Sequence, residues 1–124
     1  MSIQNKLRVI NRVIDTVDEI KKKYAQNEAV SPDLSKLSQS LQNLKDYLSK
    51  LDQLQPNYTT NEIDRYVVAI NLDLDLLKNE LEKQDFIRLQ KGARVIRTVL
   101  KFHPTKYSFI EYVLIWIYEF FYFI

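Results

Sequence analysis

Apolar residues recur along this chain at steps of three and four. In the first segment they fall at Ile3, Leu7, Ile10, Ile14, Val17 and Tyr24, with Val13 and Ile20 widening the stripe. That spacing puts them on one face of a helix over residues 3–26, about 36 Å long. The second segment is cleaner: Leu34, Leu37, Leu41, Leu44, Leu48, Leu51 and Leu54 predict a helix over 32–54. Ser31 followed by Pro32 reads as an N-cap with proline at the first helical position, and Pro56 stops the pattern.

Thr59-Thr60-Asn61-Glu62 is a capping-box sequence that opens a third helix, over 60–83. Its stripe is Ile63, Val67, Ile70, Leu74, Leu77 and Leu81. Leu72 and Leu76 lie partly off that line, so this helix is expected to touch neighbours on two sides. Phe86, Leu89, Ala93, Ile96 and Leu100 predict a fourth helix over 85–102, with Asp85 as its cap after a break from the third. Gly92 inside it costs about 1 kcal/mol against alanine. After His103 and Pro104, the capping box Ser108-Phe109-Ile110-Glu111 belongs to a fifth helix, over 105–124. From Tyr107 to Ile124 only Ser108, Glu111 and Glu119 are neither aliphatic nor aromatic, and nine of the fifteen aromatics lie there. A helix apolar nearly all round must be buried in a bundle, a partner or lipid.

These elements predict an all-α fold: an antiparallel four- to five-helix bundle with a very apolar C-terminal helix, one domain over residues 1–124. Its expected core holds Leu37, Leu41, Leu44, Leu48, Ile70, Leu74 and Leu77. Short loops favour antiparallel neighbours, and the same 3-4 spacing is compatible with coiled-coil self-association. Composition agrees. One glycine in 124 residues suits helices better than hairpins. A chain of this size can bury about two thirds of its unfolded surface, so it needs no staples. It has no cysteine, which removes disulfides and thiolate metal sites and fits a cytoplasmic setting. The N-terminal residues show no signal-peptide pattern, so the sequon at Asn57 is read as chance.

The formal net charge of +2 is unevenly spread. Residues 52–85 carry three basic and eight acidic groups; from Phe86 to Ile110 there are Arg88, Lys91, Arg94, Arg97, Lys101 and Lys106 and no acid. On one reading the third and fourth helices are neighbours whose opposite charges complement each other. On the other, the six cations face an anionic surface, each worth about 1 kcal/mol near an anionic membrane. The basic stretch leads straight into the most apolar segment, an order that suits membrane better than nucleic acid. Tyr112, Trp116, Tyr118, Phe120 and Phe123 form the candidate apolar interaction surface, while Ile110, Val113, Ile117 and Phe121 are expected to pack on the bundle. Eighteen residues with Glu119 among them are short for a membrane span, which needs about 20 apolar residues.

No catalytic chemistry stands out. A single glycine leaves no phosphate-cradling loop or dinucleotide fingerprint. His103, the sole histidine, reads as a helix C-cap. Asp73 and Asp75 point to different sides of a helix, and the paired Glu-x-x-His motifs of a di-iron bundle are missing. The expectation is therefore a non-enzymatic protein with no catalytic, cofactor-binding or metal residues, no cofactor and no small-molecule substrate.

The layout resembles the N-terminal helical domains of fungal NOD-like receptors and the HeLo and mixed-lineage kinase-like cell-death bundles. The stretches that carry the resemblance are Val30–Leu54, Glu62–Lys83 and Lys91-Gly92-Ala93-Arg94-Val95-Ile96-Arg97-Thr98-Val99-Leu100-Lys101-Phe102. It covers most of the chain and rests on pattern. It implies a bundle that relays or executes cell death by oligomerising and attacking membranes through its N-terminal region. Here the N-terminal helix is only amphipathic and the strongly apolar one is C-terminal, a departure from that arrangement. The expected partners are the chain itself or another helical protein, with an anionic membrane as a further candidate, and the expected location is cytoplasmic or at a membrane. The competing expectations are a structural subunit of a viral or filamentous assembly, packing through the apolar C-terminal helix, and a domain cut from a longer chain.

Overall fold

The computed structural model describes residues 3–54, 60–100 and 117. They form a helical bundle of α1 (Ile3–Lys23), α2 (Val30–Leu54), α3 (Thr60–Leu77) and α4 (Lys83–Leu100), and among the described residues there is no strand. The fifth expected helix lies outside the described residues except for Ile117, which is helical.

α1 packs against α2 and α4, α2 also against α3, and α3 against α4, which closes a ring. Named pairs fix the registers. Lys23 meets Asp85, Glu19 meets Arg88 and Val13 meets Gly92. Asp33 meets Glu80, Ser40 meets Asp73 and Tyr47 meets Tyr66. In both seams residue numbers rise along one helix as they fall along the other.

The leucines of α2 behave as their spacing predicts. Leu34, Leu37, Leu41, Leu44 and Leu48 are all buried, as are Ile70, Leu74 and Leu77 of α3. Each such side chain contributes about 1.5–3 kcal/mol by leaving water. Leu51 and Leu54 lie outside the described side chains.

α1 departs from the expected stripe. Its buried line is Ile3, Val9, Ile10, Val13, Val17 and Ile20, while Leu7 and Ile14 are only partly buried. The helix is wedged between α2 and α4, so its apolar arc is centred between two neighbours and takes in Val9. Lys6 is fully buried on the same arc, which the apolar spacing alone does not suggest.

Three boundaries also differ. The cap of α2 is Asn27 rather than Ser31: its side-chain Oδ1 accepts the amides of Ala29 at 3.0 Å and Val30 at 3.2 Å. Asparagine satisfies orphan amides there as well as serine would. The Ser31 amide already bonds the Asn27 carbonyl at 3.0 Å. Pro32 has no N–H to continue the ladder, so regular helix starts late. α3 ends at Leu77, not near residue 83, where the chain turns with the Leu81 amide on the Leu77 carbonyl at 3.1 Å. The expected break before α4 is there. Asp85, though, serves as a buried acceptor for α1 rather than as the cap of its own helix.

Gly92 gains a purpose in this packing. A Cβ built on it would lie 3.2 Å from both Val13 methyls. The missing side chain is what lets α1 and α4 approach, and it offsets the helix-propensity cost.

Candidate interaction surfaces

The cations of α4 divide into two groups. Arg88 Nη2 bonds Glu19 Oε2 of α1 at 3.1 Å, so it belongs to a seam. Lys91 is half-buried, and Arg94 and Arg97 are exposed on the solvent face. Among the described residues none of these three has a carboxylate partner. The one acid of α4, Asp85, is turned toward α1. Lys101 and Lys106 lie outside the described residues.

This arrangement bears on how the acidic third helix and the basic fourth relate. They are neighbours, but no ion pair joins them among the described residues. The ionic partners of α4 come from α1. On α3, Asp73 is taken up by the Ser40 hydroxyl of α2, and Asp64 and Asp75 stay exposed. Among the described residues, the ionic groups of α4 that find partners find them along the α1–α4 seam.

A polar clasp closes one end of that seam. Lys23 Nζ donates to Glu82 Oε2 at 2.7 Å and Asp85 Oδ2 at 2.9 Å. The Tyr24 hydroxyl donates to the same Asp85 oxygen at 2.8 Å and accepts the Glu82 amide at 2.9 Å. A phenol from the end of α1 thus satisfies an orphan amide at the start of α4. Burial opposes the charge on Asp85, yet the Lys23 and Tyr24 hydrogen bonds, helped by the charges of Lys23 and Arg88, hold its pKa below the usual value. The Lys23 ammonium is raised, first by its bond to Glu82 and then by Asp85. Tyr24 is raised by burial and by the Asp85 carboxylate, against the pull of the Glu82 amide. At the far side of the same bundle end, Glu80 is raised by its hydrogen bond to Asp33, with burial and the Asp33 charge adding to it.

The second exposed feature is apolar. Val68, Leu72 and Leu76 of α3 are 54%, 60% and 52% exposed; α3 does pack against two neighbours, α2 and α4, but more than half of the surface of Leu72 and of Leu76 stays open. They follow one another at steps of four, on the side of α3 away from Ile70 and Leu77. The signal was in the sequence: Val68 extends the Leu72–Leu76 line, making a second stripe of its own.

The expected apolar surface of Tyr112, Trp116, Tyr118, Phe120 and Phe123 lies outside the described residues, as do His103 and the other residues of that segment bar one. Ile117, assigned by its spacing to the bundle-facing side, is 36% exposed. Among the described residues no helix is long and apolar enough to cross a membrane, and no three metal-ligating side chains come together. No family model, curated protein or solved structure matches the chain.

Proposed function

We propose that this chain is a non-enzymatic interaction module: an antiparallel helical bundle, completed by its apolar C-terminal helix, that self-associates and engages an anionic surface. It would work as the cell-death signalling and membrane-engaging bundles it resembles do, by binding rather than by turnover. The observation that carries the reading is the solvent face of α4. Arg94 and Arg97 stand exposed there without a carboxylate partner among the described residues, while the only acid of the helix is spent on α1. A cationic face that the described helices do not neutralise is suited to phospholipid headgroups.

The test is co-sedimentation of the full chain with phosphatidylserine and with phosphatidylcholine vesicles. Binding to the anionic vesicles should fall steeply as salt rises, because the screening length shrinks from about 10 Å at 0.1 M to about 3 Å at 1 M. Changing Arg94→Gln and Arg97→Gln together should remove it without loss of helicity. Equal binding to both lipids, or none to either, would overturn the electrostatic reading.

The structural-subunit reading keeps one observation in its favour. Ile117 is helical and more than a third exposed within an almost wholly apolar segment, as a residue packed between copies would be in an isolated chain.

A further inference from the structure

We infer that the outer face formed by α3 and α4 together is a self-association surface. On it α3 of one copy lies along α4 of a second, and α4 along α3, about a two-fold axis parallel to the helices. The inference deepens the interaction-module reading and rests on its self-association part. It makes the second copy and the anionic surface compete for one face of α4.

The first ground is where the charges of α3 lie. Asp73 and Tyr66 mark its α2 side, through Ser40 and Tyr47. At about 100° per residue these two stand about 100° and 120° round from Leu72 in one direction. Asp64 and Asp75 stand about 80° and 60° round in the other, on the side where α4 packs. Both are exposed, and no ion pair takes them up among the described residues. Arg65, the one cation of α3, falls within the Val68–Leu72–Leu76 stripe, about 100° further from α4 than Asp64.

The second ground is the matching half on α4. Arg88 and Gly92 mark its α1 side. Phe86, Gln90 and Arg97 fall on the opposite side of Arg94, toward α3. Lys83, Arg94 and Arg97 are exposed, and Phe86 and Gln90 are half-buried. The face thus has an acidic and apolar half on α3 and a basic half on α4. Turned about an axis along the helices, each half covers its opposite in the second copy, as an isologous interface requires. A two-fold axis across the helices would set acid on acid and base on base.

The third ground is register. α3 and α4 are packed neighbours joined by the turn 78–82, so they run in opposite directions and positions equally far from Glu80 share a height. An axis along the helices keeps that height between copies. Asp64, sixteen residues before Glu80, then meets Arg97, seventeen after; Asp75, five before, meets Lys83, three after. Leu72 and Leu76, eight and four before, straddle Phe86, six after. The apolar stem of Arg94, fourteen after, covers Val68, twelve before. The exposed stripe gains apolar cover and the exposed carboxylates gain cations in one arrangement, which an anionic bilayer does not offer.

Two 18-residue helices side by side present a face of about 27 Å by about 20 Å. That is small for a specific interface, so the dissociation constant should be about micromolar. Sedimentation equilibrium of the full chain should show monomer–dimer exchange in that range, weakened about 10-fold or more between 0.1 M and 1 M salt. Asp64→Lys with Asp75→Lys should leave a monomer, and so should Arg94→Glu with Arg97→Glu. Mixed, the two variants should form a one-to-one heterodimer, since each supplies the charge the other lacks. All four residues are exposed, so the melting curves should not change. The chain has no cysteine, and Leu72 and Gln90 come to similar heights across the interface. Leu72→Cys chains mixed with Gln90→Cys chains should oxidise to a covalent dimer, whereas Leu72→Cys chains alone should not. With Arg94 and Arg97 covered, that covalent dimer should lose binding to phosphatidylserine vesicles and regain it on reduction.

A dimer indifferent to both charge reversals, or Leu72→Cys chains that cross-link alone as fast as the mixture, would overturn the α3–α4 face while leaving self-association in place. A covalent dimer that binds vesicles as tightly as its reduced chains would overturn the competition. A strict monomer that binds anionic vesicles would overturn the inference and leave the α4 reading intact. A dimer broken by both reversals in a protein that binds no vesicles would uphold the face and remove the lipid reading.

Discussion

The two registered seams of the bundle are built from different materials. The α1–α4 seam is held by β-branched residues around Gly92, an Arg88–Glu19 pair and the Lys23–Tyr24–Glu82–Asp85 clasp. The α2–α3 seam is a leucine core, with Tyr47 against Tyr66 at 5.1 Å and a Ser40–Asp73 hydrogen bond at its edge. At its end it sets two carboxyls, Asp33 and Glu80, side by side. Leucine packing supplies most of the stability but is tolerant of register, because leucines at steps of three and four fit many partners. Opposite charges and a missing side chain at matched heights supply less energy and select one arrangement.

If that division is right, the largest loss should come from the leucine side. Leu44 is fully buried, and Leu44→Ala should cost about 2–5 kcal/mol in urea unfolding with an unchanged slope. A loss under about 0.5 kcal/mol would show that α2 is not the stabilising element.

The clasp should come next and be readable in pH. Asp85→Asn should cost about 1–3 kcal/mol at neutral pH. Because the folded pKa of Asp85 is lowered, its contribution is present above its unfolded value of about 3.9 and is lost as pH falls through the folded value. The raised Lys23 acts on the other limb: its contribution is full below about pH 10.4 and is lost as pH rises through the folded value. The melting temperature of the parent chain should therefore drop below about pH 4, and Asp85→Asn should flatten that limb. The raised Glu80 runs the opposite way, lowering stability as its carboxyl ionises. An acid limb that is unchanged in Asp85→Asn would show that other carboxylates set it.

The smallest effect separates propensity from packing. Gly92→Ala gains about 1 kcal/mol of helix propensity. It also sets a methyl 3.2 Å from both Val13 methyls, and valine has one favoured rotamer in a helix. We expect the substitution to be neutral or destabilising by up to about 1 kcal/mol, and to become stabilising relative to Val13→Ala when combined with it. Additive behaviour in that thermal-melt cycle would mean the two helices do not touch there.

The leucines of α2 and the Ile70–Leu77 line were legible because one residue type repeated at helical spacing allows one inward face. α1 was less so: with neighbours on two sides, Val9 and Lys6 join the buried arc, and a single-stripe reading centres it a residue or two away. Asn27 caps α2 although Ser31-Pro32 is the stronger signal in the sequence, because Pro32 has no amide to continue the ladder that Asn27 begins. The six cations between Arg88 and Lys106 were legible as a cluster, but not that Arg88 and Asp85 would be spent on α1. A one-dimensional pattern gives the charge of a helix and not its azimuth against a helix about 60 residues away. Val68, Leu72 and Leu76 were half seen. Their spacing marked a second apolar line, and nothing in the spacing says whether a line is covered.

The hydrogen bond from the Glu82 amide to the Tyr24 hydroxyl reaches across 58 positions of chain. Most helical amides are sheltered by a carbonyl one turn back and can be protected in any state that keeps the helix. This one is sheltered only while α1 and α4 are docked, so its exchange with deuterium follows the separation of the helices rather than their fraying. Closing a loop of that length also carries an entropic cost that short-range contacts avoid, which places the clasp among the contacts that form late. The Glu82 amide is thus a built-in reporter of docking: protected only once α1 and α4 have met, and a marker for any membrane or partner that opens the bundle along its α1–α4 seam.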